Sequence, residues 1–197
     1  IHYSTDYVFD GNSKSPYNEL DQPMPNSVYG SSKLKGEEYV LDNKKVKSII
    51  IRTSWVYSNY GNNFVKTMIK LAGKRNELGI VADQIGSPTF AKDLAQDTLN
   101  ILSHDNYQWI SGDIFNYSNN GSCSWFEFAK EIFKYSDNDV ILTALSTKEY
   151  PTNAVRPKYS LLDKSKFERT FTIKIRDWKI SLFEMLKQEL SLEKTQS

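Results

Sequence analysis

Tyr29 and Lys33 stand four residues apart, so on a helix a phenol and an ammonium share one face, and a Ser4-Thr5 pair closes a strand-like stretch upstream. Such a trio suits proton transfer to a carbonyl oxygen. A free phenol titrates at about 10, too high for efficient exchange at neutral pH, and a neighbouring ammonium lowers it by favouring the phenolate. The Thr5 hydroxyl could hydrogen-bond the same oxygen as negative charge grows on it. The chemistry still needs a hydride source. Spacing alone says little: with 12 Tyr and many Lys, roughly one Tyr-x-x-x-Lys is expected by chance, and one is present. Position adds the weight, because the pair opens a helix between two strands and the Ser-Thr pair ends the first of them.

Other chemistries find less material. None of the nine glycines has Gly-x-Gly-x-x-Gly spacing, so no dinucleotide-binding fingerprint is present. Asp93 and Asp97 share a helical face, but with no His or Cys near them they read as solvated rather than metal-binding, and no metal is expected. Cys123 lies near a helix start without an adjacent base and reads as a small packing or surface thiol. One cysteine cannot form an internal bridge, and His2 and His104 leave little for a soft-metal centre, so a reducing cytoplasm is the expected compartment. The net charge of +1 supplies no field for nucleic acid or an anionic membrane. The longest aliphatic stretch, Ile49-Ile50-Ile51, ends at Arg52, far short of the roughly 20 residues of a spanning helix. Neither nucleic acid nor membrane is an expected partner.

The elements that must position the trio follow from local pattern. Residues 1–8 mix β-branched and aromatic types and read as a strand leading into a long loop held extended by Pro16, Pro23 and Pro25. Residues 28–41 favour a helix after Asn26-Ser27, and 48–53 a strand buried on both faces. Strand, helix and strand in this order make a parallel crossover, and hence an α/β doubly wound sheet. Helical periodicity returns from Asn62, with Lys66, Lys70 and Lys74 as a solvated side, and again over 91–102. A turn covers 84–89, short strands 114–117 and 140–142, and an irregular loop 150–159. Ser124 with Glu127 has capping-box spacing for a helix to about Tyr135, a last helix covers 178–190, and 191–197 reads as a frayed tail. The chain opens on Ile1-His2-Tyr3, already strand-like and without an initiating Met, and so reads as the back part of a longer protein.

Taken together, Ser4-Thr5-Asp6-Tyr7-Val8-Phe9-Asp10-Gly11, Val28-Tyr29-Gly30-x-Ser32-Lys33-Leu34-x-Gly36-Glu37, Arg52-Thr53-Ser54-Trp55-Val56-Tyr57, Asp83-Gln84-Ile85-Gly86-Ser87-Pro88-Thr89 and Arg156-Pro157 resemble the dTDP-4-dehydrorhamnose reductases, extended short-chain dehydrogenases/reductases. The resemblance covers nearly the whole chain. It implies the C-terminal part of a doubly wound Rossmann sheet with a smaller α/β substrate-binding region. Residues 1–60 would belong to the NAD(P)-binding domain, and 61–197 mostly to the nucleotide-sugar region, with some segments returning to the first. Tyr29 would donate a proton to the C4 carbonyl of dTDP-4-dehydro-L-rhamnose, Lys33 would orient the nicotinamide ribose and tune Tyr29, and Thr5 would polarise the carbonyl. Hydride would come from NADPH or NADH, with the Tyr3 backbone beside it. Asp6 and Trp55 would contact the sugar, while Gln84, Gly86, Ser87 and Arg156 would help hold the nucleotide diphosphate. The resemblance also admits another nucleotide-sugar epimerase or dehydratase, or a regulatory subunit like the beta subunit of methionine adenosyltransferase. A homodimer is among the expected assemblies.

Overall fold

The computed structural model describes residues 1–103, 111–136, 139–151 and 156–195. His104 and the middle of the 150–159 loop lie outside them. In chain order the elements are β1 (His2–Thr5), a 3-10 turn (Asp6–Val8), α1 (Val28–Asp42), β2 (Ser48–Thr53), β3 (Val56–Tyr57), α2 (Phe64–Ala72), β4 (Glu77–Val81), β5 (Ile85–Gly86), β6 (Thr89–Phe90) and α3 (Ala91–Leu102). There follow β7 (Ser111–Tyr117), β8 (Cys123–Ser124), α4 (Trp125–Ser136), β9 (Ile141–Leu145), α5 (Ser165–Phe171) and α6 (Trp178–Thr195). The fold is α/β with parallel strand pairs, as the crossover reading requires.

A three-stranded parallel sheet, β1-β2-β7, carries the trio's strand at one edge. Rungs run Ser4–Arg52–Asn116 and Thr5–Thr53–Tyr117. Every residue of β2 is buried, which explains its three consecutive isoleucines: Ile49 and Ile51 join Leu94, Ile101, Phe115, Tyr117, Phe167 and Phe171 on one side, while α1 covers the other. A second apolar cluster gathers Tyr57, Val65, Met68, Phe90, Phe128, Ile132, Trp178 and Leu182, chiefly around α2, α4 and α6. Paired beside it are β4 and β9, parallel, and β5 and β8, antiparallel.

Helix starts obey their caps. Ser27 accepts from the Gly30 amide at 3.1 Å, and Asn63 from the Lys66 amide at 3.2 Å. Ser124 and Glu127 form the full reciprocal box, Ser124 N–H donating to Glu127 Oε2 at 2.7 Å and Glu127 N–H to Ser124 Oγ at 3.1 Å.

Several sequence expectations need correcting. The first strand stops at Thr5, because the Thr5 hydroxyl accepts the Tyr7 amide and Phe9 N–H turns back to the Asp6 carbonyl, closing a 3-10 turn where residues 6–8 had read as strand. β7 begins at Ser111 rather than 114, since Gly112, at φ +82° beside Leu41, absorbs a register shift opposite Ser48 and Ile49. α6 continues through 191–195. Lys66 is half-buried, donating to the Asn59 carbonyl at 2.9 Å and facing Glu189 at 3.4 Å; Lys70 and Lys74 are exposed as read. Among the described residues no helix is long and apolar enough to cross a membrane.

Candidate active site

The end of β1 and the first turns of α1 meet. Lys33 Nζ donates to the Tyr3 carbonyl at 2.5 Å, which ties the ammonium to the strand two residues before Thr5. Tyr29 is 54% exposed and lies edge-on against Tyr7, with ring centroids 5.6 Å apart. Its hydroxyl therefore sits outside any closed apolar core. Close approach depends on Gly30: a Cβ there would stand 2.2 Å from the Tyr7 carbonyl oxygen, so a side chain would push α1 off the turn. Tyr3 meets Lys33 through its backbone while its hydroxyl pairs with Thr98 Oγ1 at 2.8 Å.

Thr5 is buried and donates to Asp6 Oδ1 at 3.0 Å. Asp6 is buried too, and burial pushes its carboxyl up to about 7, held back by the Ser160 and Thr5 hydroxyls. A carboxyl poised near neutrality next to the threonine is consistent with a reaction centre. Burial and the Asp6 charge raise the Tyr7 phenol, and Arg156 opposes them.

Arg156 links this edge to a cleft. Gly11, at φ +78°, packs so closely on Pro157 that a Cβ would stand 2.4 Å from the proline ring, and the Tyr159 amide donates to the Gly11 carbonyl at 3.1 Å. Those contacts bring the Arg156 segment beside the turn after β1. The guanidinium lies 5.9 Å over the Trp125 ring. Together Arg156, Gln84, Trp125, Phe64, Tyr150 and Val81 line a cavity of about 430 Å³. Trp55, in the left-handed conformation at φ +47°, stacks on Trp125 with centroids 3.6 Å apart and covers Gly86, where a Cβ would meet its ring at 2.7 Å. Opposed charge, a flat aromatic floor and the Gln84 amide give the cleft the means to hold an anionic, ring-bearing ligand.

Not every residue singled out in the sequence reaches the cleft. Ser87 is fully buried and its hydroxyl donates to the Asn119 carbonyl at 2.5 Å, while its own carbonyl accepts from Ser54 at 2.8 Å. Both bonds brace the turn. Gly86 is buried beneath Trp55. Gln84 is largely buried but keeps a place in the lining, its amide donating to Thr147 Oγ1 at 3.1 Å.

Asp93 is not solvated. It is buried against the Asn119 amide at 2.8 Å, Ser181 and the Arg176 guanidinium at 3.1 Å, an arrangement that neutralises it without a metal ion. Asp97 accepts from the Tyr117 hydroxyl at 2.7 Å. Cys123 is buried, and burial pushes its thiol up, away from the reactive thiolate. The described residues contain no group of three or more side chains placed to hold a metal ion. Trp125, Tyr150 and Phe64 went unnoticed in the sequence as site residues. Trp125 follows directly on a capping box, and that was the one local signal available for it.

Residues 1–191 match the family model described as "RmlD substrate binding domain". The chain is 44% identical over 191 residues to the spore coat polysaccharide biosynthesis protein SpsK of Bacillus subtilis (strain 168), covering 97% of this chain and 65% of that protein. Among solved structures it resembles a dTDP-4-dehydrorhamnose reductase from Clostridium acetobutylicum, with 44% identity and a TM-score of 0.88. Another from Bacillus anthracis, in complex with NADP, shows 43% identity and a TM-score of 0.84. In both structures the match covers 95% of this chain and 64% of the other. The chain thus spans just under two thirds of the length of the relatives it matches.

Proposed function

The chain belongs to the RmlD substrate binding domain family, and from that premise we propose that it supplies the proton-donating and substrate-binding part of a reductase that uses NADPH or NADH to convert dTDP-4-dehydro-L-rhamnose to dTDP-L-rhamnose. The supporting observation is the Lys33 ammonium seated on the Tyr3 carbonyl at 2.5 Å beside the open Tyr29 ring, two residues from Thr5 on the same strand.

The residues fit a nicotinamide ribose. An ammonium has three N–H donors, and with one directed to Tyr3, two remain for vicinal hydroxyls. The glycine-rich turn that cradles dinucleotide phosphates is not in these 197 residues, which span just under two thirds of the length of their relatives. When bound, the nicotinamide supplies hydride to C4. Tyr29 gives its phenolic proton to the C4 oxygen as the carbonyl π bond breaks, and the product is the alcohol. Thr5 turns its hydroxyl from Asp6 to that oxygen while charge develops there. Asp6 and Trp55 flank the hexose, and residues 1–60 with the returning β7 form the cofactor side of the crevice. Most of 61–197 forms the nucleotide-sugar side, where Arg156 faces the diphosphate, Gln84 offers hydrogen bonds to the base, and Trp125 carries the flat surface.

The direct test gives the full-length protein NADPH and dTDP-4-dehydro-L-rhamnose and follows formation of dTDP-L-rhamnose. Absence of reduction, with epimerisation or dehydration of a nucleotide sugar in its place, would replace this reading. Arg156→Ala should weaken dTDP binding roughly tenfold or more, the worth of a charge-assisted hydrogen bond. Calorimetry showing unchanged affinity would remove Arg156 from the site.

A further inference from the structure

Tyr29, Lys33 and Glu37 follow one another at single-turn spacing along α1. Of the 15 residues in this helix, only Gly30 and Glu37 are buried. Leu34 adds a partly buried contact to the Val8, Phe9, Tyr17 and Leu162 cluster. Within the residues this chain spans, apolar burial on α1 is thin, and being non-directional it sets neither the rotation nor the height of the helix. Directional polar contacts can do so. Lys33 cannot be the main anchor, since it has to stay available at the open side of the crevice.

Glu37 meets Arg52 of β2 in a closed fork: Arg52 Nη2 donates to Oε2 at 2.7 Å and Nε to Oε1 at 3.0 Å, with the two side chains 2% and 1% exposed. Arg52 is registered opposite Ser4, one rung before Thr5, and its guanidinium lies 5.0 Å over the Phe9 ring just past the 3-10 turn. Arg52 thus links three parts of the site: its backbone pairs with β1 on the rung beside Thr5, and its guanidinium reaches Phe9, which follows the turn, and Glu37 on the helix of Tyr29 and Lys33. Fork geometry fixes direction as well as distance. Buried pairs of this kind roughly break even in stability against apolar residues of equal volume, so orientation, rather than stability, is what this one can contribute.

We propose that Glu37 and Arg52 are positioning residues of the reaction site, holding α1 at the rotation that seats Lys33 on the Tyr3 carbonyl and Tyr29 over the end of β1. This rests on the reductase reading above. Removing one partner alone would leave a buried charge and risk the fold, so the informative variant is the double substitution Glu37→Leu with Arg52→Met, made in the full-length protein. Its melting temperature should return to near that of the wild type. Its kcat should stay about 10–100-fold lower while KM for the nucleotide sugar stays within about twofold, the signature of misplaced reacting groups. In its crystal structure the contact from Lys33 Nζ to the Tyr3 carbonyl should be lost.

Wild-type kcat in the stable double variant, or retention of the Lys33 contact, overturns the proposal. Should the double variant not fold, Arg52→Lys keeps the charge and loses the fork. A lowered kcat at unchanged KM in that variant supports the positioning role, and wild-type kcat overturns it. A wild-type protein that reduces no nucleotide sugar would sink the functional reading instead, and the Lys33 contact would then decide the positioning role by itself.

Discussion

Tyr29→Phe should lower turnover of dTDP-4-dehydro-L-rhamnose by the full-length protein by roughly 10²–10⁴-fold, the usual worth of a positioned general acid. Affinity for the nucleotide sugar should hardly change. The variant keeps the ring, and with it the edge-on contact to Tyr7 at 5.6 Å, so neither α1 nor the turn after β1 loses packing. The cleft groups Arg156, Gln84 and Trp125 are untouched. An interaction made only in the transition state affects kcat and kcat/KM equally and leaves ground-state binding alone. Single-turnover kinetics on wild type and variant, with dTDP binding measured alongside, checks both halves of the expectation. Reduction at the wild-type rate would show that the proton comes from elsewhere.

Asp6→Asn should change how stability depends on pH. Burial raises the Asp6 carboxyl from its ordinary 3.8 to about 7. A raised acid binds its proton more tightly in the folded than in the unfolded chain, so its contribution is fully present below about 3.8 and is lost as pH climbs through about 7. Moving the carboxyl from 3.8 to about 7 corresponds to a loss on the order of 4 kcal/mol across that window. Asparagine stays neutral and escapes this penalty. The variant should therefore gain on the wild type as pH rises, and denaturant unfolding at about pH 4 and about pH 8 would measure the widening gap. Parallel curves would show that the carboxyl keeps its water in the folded protein. The same burial bears on the reaction, because a neutral Asp6 can release the Thr5 hydroxyl toward a substrate oxygen more readily than a carboxylate can.

What could be read from the sequence was what local geometry decides. Spacing of four residues on a helix places Tyr29 and Lys33 on one face whatever the rest of the chain does, and the caps at Ser27, Asn63 and Ser124 set helix starts within a single turn. The run Ile49-Ile50-Ile51 suits only a strand covered on both faces, and that made the parallel crossover legible. The rest depended on contacts between distant segments. Trp55 finds Trp125, Gly11 finds Pro157, and Glu37 finds Arg52 because the sheet and its crossovers bring those segments together, and residue types at a single position carry no record of such a meeting. The same holds for the residues that moved out of their expected roles. Ser87 looked like a ligand contact and Asp93 like a solvated carboxylate, but burial gave their polar atoms partners within the protein, in a network with Asn119, Ser181 and Arg176. Periodicity and capping act over one turn or one rung, whereas solvation and partner choice are properties of the assembled fold, and that is why the tertiary structure alone decided which of the named residues face the cleft.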